Sequence, residues 1–449
     1  MNYISFAAIA IFVVTLILMI RRPKGMNLGV AAGIGALASL LVGTVSPALV
    51  YEALEDIWDA ALAFLGIVML SVTLDAMGFF RWAALRVARL ADGNGVKLFF
   101  LVSLLTASVS ILFANDSAIL ILTPIVIEVV RDLKMNEKNS LAYLFGAGLI
   151  ADTAAMPLIT SNPVNILSAD YFSYTFIQHM IFMTPVAIVT LFMSIMILYA
   201  YFRKDIPLTY STEEVEKLIQ ANPRPLLLRT CIMTLVAIDV GYVLTSLLRI
   251  PVSFVIFSGA VFLLLVYAVK TQRVSQSLKT YDRPLLVVKR VNWDILFFMV
   301  SIFLVVQGLR VAGTVDFFAT LFVMSLQLPS VLSVLVPSFI VTVGASIMNN
   351  WPMTMVGLLS IEMAVDSAGL GAQAVTSLIF SNIIGNNLGP HFFPIGSLAI
   401  LMWLAILKRK GLTITLRDYL KVGSVLSILE VTVASIILWL ELTFLGLVL

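Results

Sequence analysis

Polar positions are scarce along this chain, and they are not scattered. Apolar runs of membrane-helix length alternate with short clusters of charge. "YISFAAIAIFVVTLILMI" (3–20) is followed by "RRPK", and further runs lie near 26–44, 60–79, 141–167 and 176–201. Past a polar stretch at 202–228 the plan resumes, with runs near 229–247, 251–269, 291–311, 373–407 and 420–446. Runs of this length fit helices that cross a hydrocarbon core of roughly 30 Å, whereas barrel strands alternate over about ten residues. Two further stretches, 97–130 and 330–364, carry a polar tip at their centre: "FANDSAILILTP" (113–124) and "IMNNWPMTMVGL" (347–358). A helical hairpin that enters and leaves by one membrane face and turns inside the bilayer accounts for such a tip. The pattern predicts an all-α polytopic membrane protein with ten spans and two re-entrant hairpins. It divides into a first transmembrane repeat (1–201), a cytoplasmic connector (202–228) and a second, inverted repeat (229–449). Within the connector, "STEEVEKLIQ" reads as a helix and "NPRP" as its break.

Composition agrees: 61% of the 449 residues are hydrophobic and 12% charged, far from the balance of soluble domains. Charge distribution adds the topology. Six clusters, Arg21 to Lys24, Arg81 to Lys97, Arg131 to Lys138, Arg203 to Arg229, Lys270 to Arg290 and Lys408 to Lys421, hold 26 of the 28 Lys and Arg. The segment "YEALEDIWDA" (51–60) is acidic and reads as an outer loop. If the six clusters face the cytoplasm, the positive-inside rule is obeyed and the N-terminus lies outside. The first span has no basic residue before it and several after it, the reverse of a cleaved signal, so a retained helix is expected. Cys231 is the one cysteine, which excludes an intrachain disulfide and any site needing several thiolates.

An internal repeat ties the two tips together. Sliding the chain by 234 residues places Asn115–Asp116 on Asn349–Asn350, and "LIADTAAMPLITSNPVNIL" (149–167) on "IIGNNLGPHFFPIGSLAIL" (383–401). Five spans in each half set the halves in opposite orientation, the arrangement of secondary transporters whose site lies near mid-bilayer. Pro157, Pro163, Pro390 and Pro394 interrupt apolar helices, and each removes a backbone hydrogen bond. The freed carbonyls are tolerated in a polar cavity but not in lipid. Thr160, Ser161, Asn162 and Ser397 add donors and acceptors at the breaks. The limb that returns from each tip begins with a helix N-terminus, which favours oxygen ligands.

These residues resemble a known family. "FANDSAILILTP", "GLIADTAAMPLITSNPVNILSADYF", "NNWPM" and "IGNNLGPHFFPIGSLAILMW" look like the arsenical-resistance efflux permeases of the ArsB type, and the resemblance covers most of the chain. That family belongs to the ion-transporter superfamily, together with sodium/proton antiporters and sodium-coupled dicarboxylate carriers. The resemblance implies a bacterial inner-membrane protein that exports arsenite and antimonite in exchange for protons, in some systems alongside a cytosolic ATPase. Trp351 stands where family members usually carry methionine, in a position to narrow or cap the cavity.

The residues themselves agree on one point. The deduced cavity holds no Lys or Arg, which suits a neutral trihydroxy species better than a dianion. Substrate contacts are expected from Asn115, Asp116, Thr160, Ser161, Asn162, Asn349, Asn350 and Ser397, and proton coupling from Asp116, Asp152 and His391. Each also has a plainer reading. Asp116 is placed to cap a helix, Asp152 to pair with Thr153, His391 to pack on Phe392, and the asparagines, Asn386 and Asn387 included, to satisfy one another across the repeats. A charged Asp at mid-bilayer costs about 2.5–3.5 kcal/mol even on lenient insertion scales, so a functional role is the default for both aspartates. Asp75, Asp239 and Glu430 also fall within spans, as proton path or polar helix contact. His179 reads as interfacial and Cys231 as packing, and "GVAAG" (29–33) offers a close helix contact by its spacing.

No cofactor or fixed metal is expected. There is no phosphate-binding loop, and the two histidines are too far apart in the chain for an HExxH site. Competing expectations on the same scaffold are a sodium/proton antiporter and a sodium-coupled carboxylate transporter.

Overall fold

A computed structural model describes residues 3–221, 227–274 and 284–449; the "NPRP" break and part of the Lys270 to Arg290 cluster lie outside them. The first half comprises α1 (Tyr3–Arg21), α2 (Leu28–Val42), α3 (Pro47–Ala76), α4 (Phe79–Leu90), the hairpin α5 (Gly95–Phe113) and α6 (Asn115–Asp132), α7 (Glu137–Thr153), α8 (Pro163–Tyr171) and α9 (Phe176–Phe202). A connector helix, α10 (Thr212–Ala221), follows. The second half comprises α11 (Leu228–Leu248), α12 (Val252–Val274), the short α13 (Pro284–Lys289), α14 (Trp293–Arg310) and α15 (Thr314–Leu326). It continues with the hairpin α16 (Leu332–Met348) and α17 (Asn350–Ala368), then α18 (Ala372–Leu388), α19 (Leu398–Arg409) and α20 (Leu416–Phe444). Among the described residues there is no strand.

Eight of these helices are long and apolar enough to cross a membrane unaided, the hairpin limb α5 among them. The ten expected spans are reached differently. α2, at 15 residues, is short for a bilayer. The pairs α7–α8 and α19–α18 each cross only as two half-helices joined through irregular backbone. Each half therefore makes five crossings around one hairpin, and an odd number of crossings inverts the second half relative to the first.

Backbone geometry fixes the register of the repeat more sharply than residue identity does. Ala114 (φ 63°, ψ 153°) turns α5 into α6, and Asn349 (φ 79°, ψ 151°) turns α16 into α17. The corners Gly78 (φ 80°) and Gly313 (φ 76°) open α4 and α15. Asn162 and Ser397 occupy equivalent extended N-caps of α8 and α19. All three pairs are 235 residues apart, so the expected offset of 234 is one residue short. Asp152 matches Asn387, Asn115 matches Asn350, and Asp116 matches Trp351.

Two other expectations change. The acidic stretch 51–60 is not a loop: Pro47 at the first helical position, behind a Ser46 cap that accepts from Leu49 N at 3.3 Å, starts α3 a full ten residues before its apolar part. Residues 79–90 form a separate amphipathic helix whose buried face is Phe80, Ala84, Leu85 and Ala88 and whose exposed side carries Arg86 and Arg89. The "GVAAG" contact is present, since a Cβ on Gly29 would lie 2.6 Å from the Asp294 carbonyl and one on Gly33 2.8 Å from the Phe297 ring. α2 and α14 pack this closely because neither glycine has a side chain.

Candidate functional site

Each hairpin tip docks on the broken helix of its own repeat. Asn115 Nδ2 donates to Asp152 Oδ1 at 2.7 Å, and Ser161 Oγ donates to the Ile111 carbonyl at 2.9 Å. At the second tip, Asn349 Nδ2 donates to the Ile395 carbonyl at 3.0 Å, and Ser346 Oγ to that of Gly389 at 3.0 Å. The breaks themselves are turns of one helical winding, Ile159–Ser161 and Pro394–Gly396, entered from extended residues Leu158 and Phe393. Pro163 sits at the first position of α8, where its missing N–H is no loss.

The two breaks are then stitched to each other. Asn162 Nδ2 donates to Asn387 Oδ1 at 2.9 Å, and Asn387 Nδ2 donates to Asn165 Oδ1 at 2.9 Å. Asn165 Nδ2 in turn closes the Ala155 and Leu158 carbonyls that the first break leaves open, at 2.9 and 3.2 Å. His179, expected at the interface, is fully buried. Its Nε2 meets the Met156 carbonyl at 2.8 Å and its ring stacks on Tyr174.

A second thread crosses the same junction. His391 Nδ1 lies 2.7 Å from Glu430 Oε2, and its Nε2 lies 4.0 Å from Asp152 Oδ2. Glu430 Oε1 accepts from Thr153 Oγ1 and from Ser194 Oγ, both at 2.6 Å. Asp152, His391 and Glu430 are 2%, 0% and 0% exposed, with no lysine or arginine among their partners. Two carboxylates and one imidazole packed together away from water form a cluster able to take up and pass on a proton. Asp116, in the first turn of α6, is within electrostatic range of Asp152.

The expected site residues thus fall into two groups. Ser161, Asn162, Asn349 and Ser397 spend their side chains on the frame: Asn162 Oδ1 also caps Val164 N, Asn349 Oδ1 accepts from Trp351 N at 3.3 Å, and Ser397 Oγ caps Ile400 N at 3.3 Å. Asn115 Oδ1, Thr160 Oγ1, Asn350 Oδ1, Asp152 Oδ2 and His391 Nε2 are buried and unpartnered, as is Asn386 Oδ1. A buried polar atom without a partner costs about 1–3 kcal/mol, so each of these is a candidate contact for a solute or a water. Trp351 does not cap a cavity. It is packed edge-on between Phe64 of α3 and Phe298 of α14, at ring distances of 6.4 and 5.9 Å. Glu430, left open between path and contact by sequence, proves to be the hub of the second thread. Its one sequence signal was an acid midway along the long apolar span of α20.

The two faces of the molecule differ. On the basic face Glu128 of α6 joins Arg81 of α4 and lies 3.8 Å from Lys410, which follows α19. The connector is pinned beside it by the pairs Arg89–Glu216 (3.0 Å), Lys134–Glu214 (3.1 Å) and Lys138–Asp205 (2.8 Å). On the opposite face a cavity of about 860 Å³ reaches down to Ile159 of the first break, between acidic Glu52, Glu55, Asp170 and Glu362 and the two arginines outside the clusters, Arg249 and Arg310.

Inverted repeats, paired hairpins and a titratable junction between broken helices define a secondary-transporter fold. The same fold is seen in the Alcanivorax borkumensis YdaH transporter, described as having an unusual topology, with a TM-score of 0.58 at 13% identity over 99% of both chains. The sequence then narrows the class: residues 7–442 match the ArsB family, arsenical pump membrane protein. The Escherichia coli K12 arsenical pump membrane protein is 38% identical over 440 residues, covering 97% of this chain and 99% of its own. The Yersinia enterocolitica arsenical pump membrane protein is 37% identical over the same shares. The chain belongs to the arsenical pump membrane protein family and is a multi-pass membrane transporter.

Proposed function

We propose that this chain exports arsenite and antimonite as neutral trihydroxy species in exchange for protons, by alternating access, across a bacterial inner membrane with its N-terminus outside. The observation that carries the reading is the junction of tips and breaks. It offers Asn115 bonded to Asp152, itself close to His391, together with further unpartnered amide and hydroxyl groups at the second tip and the first break (Asn350, Thr160), and among the described residues no Lys or Arg pairs with Asp152 or His391. Hydroxyls of an uncharged oxyacid can donate to Asn115 Oδ1 and Asn350 Oδ1. A soft trivalent centre would prefer thiolates, and the one thiol, Cys231, is buried against Met77 instead. One proton moving inward across 100 mV supplies about 2.3 kcal/mol, which corresponds to roughly a fifty-fold gradient of a neutral solute. That suffices for detoxification by this chain alone; a cytosolic ATPase docked on the basic face would add to it.

The test is uptake of radiolabelled arsenite into everted vesicles under a pH gradient, compared with a sodium gradient. Uptake driven by pH and abolished in Asp116→Asn, with the variant inserted at normal level, is the expected result. Sodium-driven transport indifferent to arsenite would turn the reading to the sodium-coupled carriers of the same superfamily.

A further inference from the structure

Glu430 has three hydrogen-bond partners, two of them hydroxyls that also have the Leu149 and Thr190 carbonyls within reach, at 3.1 and 2.8 Å. Thr153 and Ser194 hydroxyls occupy Oε1 at 2.6 Å each, and Oε2 faces His391 Nδ1 at 2.7 Å. With both hydroxyls donating, the carboxylate's remaining demand is for the Nδ1 proton. A neutral imidazole carries one N–H, so a proton held on Nδ1 leaves Nε2 bare. Nε2 makes no hydrogen bond of good geometry, with the Leu149 carbonyl near the ring, and it lies 4.0 Å from Asp152 Oδ2, which makes none either, with the Ser397 hydroxyl near the carboxylate.

We propose that Glu430 is a positioning residue that holds the proton on His391 Nδ1 and so presents Nε2 to Asp152 as the acceptor of the coupling proton. This deepens the proton-exchange reading and rests on it. The incoming proton forms a bond to Nε2, giving an imidazolium between two carboxylates. It leaves from Nε2 to Asp152 Oδ2, while Nδ1 keeps its own proton throughout. Transfer requires the 4.0 Å gap to close by about 1 Å, to hydrogen-bond length. Asp152 ends α7 and His391 lies in the second break, so closing the gap moves one repeat against the other. Proton transfer is thereby confined to the arrangement in which the two repeats have closed together, while the repeats can also alternate with no proton passed.

The surroundings supply few competitors. α7 brings Asp152, Thr153 and the Leu149 carbonyl near the ring, and α9 brings Ser194, with its histidine, His179, fifteen residues away. α16 and α18, also packed on α20, carry no Asp, Glu, His, Lys or Arg. Tyr419, on α20 itself, hydrogen-bonds the Pro390 carbonyl at 3.4 Å.

Glu430→Gln is the discriminating variant. Its amide oxygen can still accept from Thr153 and Ser194, but its NH₂ donates to Nδ1 and forces the ring proton onto Nε2. In everted vesicles, pH-driven arsenite accumulation should fall at least about ten-fold, the low end of what outer partners of functional histidines contribute at metal sites. Exchange of labelled for unlabelled arsenite at equal pH on both sides should change by less than about three-fold, because binding and alternation do not need the proton. Independently, ¹⁵N imidazole spectra, simple in a chain with two histidines, should report a neutral His391 protonated on Nδ1 in the parent and on Nε2 in Glu430→Gln.

Equal loss of driven accumulation and of exchange, or no loss of either, overturns the proposal, as does a His391 tautomer unchanged by the substitution. Parent accumulation indifferent to the pH gradient overturns the proton-exchange reading itself, and this proposal with it. A pH-driven parent beside an unimpaired Glu430→Gln overturns the proposal alone.

Discussion

The amide stitch between the two breaks makes a quantitative prediction. Asn387→Leu keeps the side-chain volume and removes both inter-repeat bonds, Asn162 Nδ2 to Asn387 Oδ1 and Asn387 Nδ2 to Asn165 Oδ1, each 2.9 Å long at a residue 1% exposed. The third bond, to the Ile383 carbonyl, counts for nothing, because that carbonyl already serves the helix. Side-chain hydrogen bonds between membrane helices average about 0.6 kcal/mol and reach about 1.7. Two of them set a floor near 1 kcal/mol. The amides stranded on Asn162 and Asn165 raise the expected loss to about 1–3 kcal/mol.

Reversible unfolding in mixed micelles measures the loss, and a double-mutant cycle with Asn162→Leu isolates the coupling. Asn162→Leu alone also forfeits the α8 cap, worth about 1 kcal/mol, so its loss should exceed its share of the stitch. The coupling energy should be about 0.5–1.5 kcal/mol, and the arsenite KM of Asn387→Leu should stay within about three-fold of the parent. A coupling indistinguishable from zero refutes the stitch. A ten-fold rise in KM at unchanged stability assigns these amides to the solute instead.

Other consequences are checked more briefly. Ala114 holds φ 63°, ψ 153°, a region that costs non-glycine residues about 1–3 kcal/mol, so Ala114→Gly should raise stability by up to about 2 kcal/mol in the same unfolding assay. Gly33→Leu drives a side chain into Phe297 and should lose more than about 3 kcal/mol or fail to insert, whereas Gly43→Ala, with open space around it but φ 79°, should lose about 1 kcal/mol; membrane yield and unfolding separate the two. Tyr171→Phe removes a 2.6 Å bond to half-exposed Glu362 beside the cavity opposite the basic face, and should cost less than about 1 kcal/mol while speeding thiol labelling of a cysteine placed at Ile159 in a Cys231→Ser background. The connector should undock with salt. Lys134 beside Glu214 holds that carboxyl below its usual range, so its contribution is present above the unfolded pKa and lost as pH falls through the folded one. Labelling of a cysteine on α10 should therefore quicken in high salt and in acid, and insensitivity to both would remove the ion pairs from the docking.

The comparison of sequence with structure divides along physical lines. Apolar runs, hairpin tips and proline-bearing breaks were legible in order along the chain, because a bilayer leaves the backbone few options: helix, or irregular segment facing a polar interior. Tip and break residues could be named for the same reason, since Asn, Asp, Ser and Thr have no business in lipid. The register was harder. Residue matching favoured 234 because Asn–Asp resembles Asn–Asn, while the turns that impose positive φ at Ala114 and Asn349 are 235 apart. The acidic 51–60 segment was misread since charge was taken for a loop when a Pro47 start and a Ser46 cap were already carrying it into α3.

Sequence by itself determined that this is a helical membrane protein, where its polar interior lies and to which family it belongs. Only the tertiary structure decided which polar groups are spent on holding the breaks together and which remain open. It alone brought Thr153 to Glu430 across 277 residues, Ser194 across 236 and His391 across 39. No periodicity encodes such meetings. They follow from inverted packing, which sets the end of α7, the turn before α19 and the middle of α20 at one depth, where buried acceptors must find donors or stay unpaired at a cost.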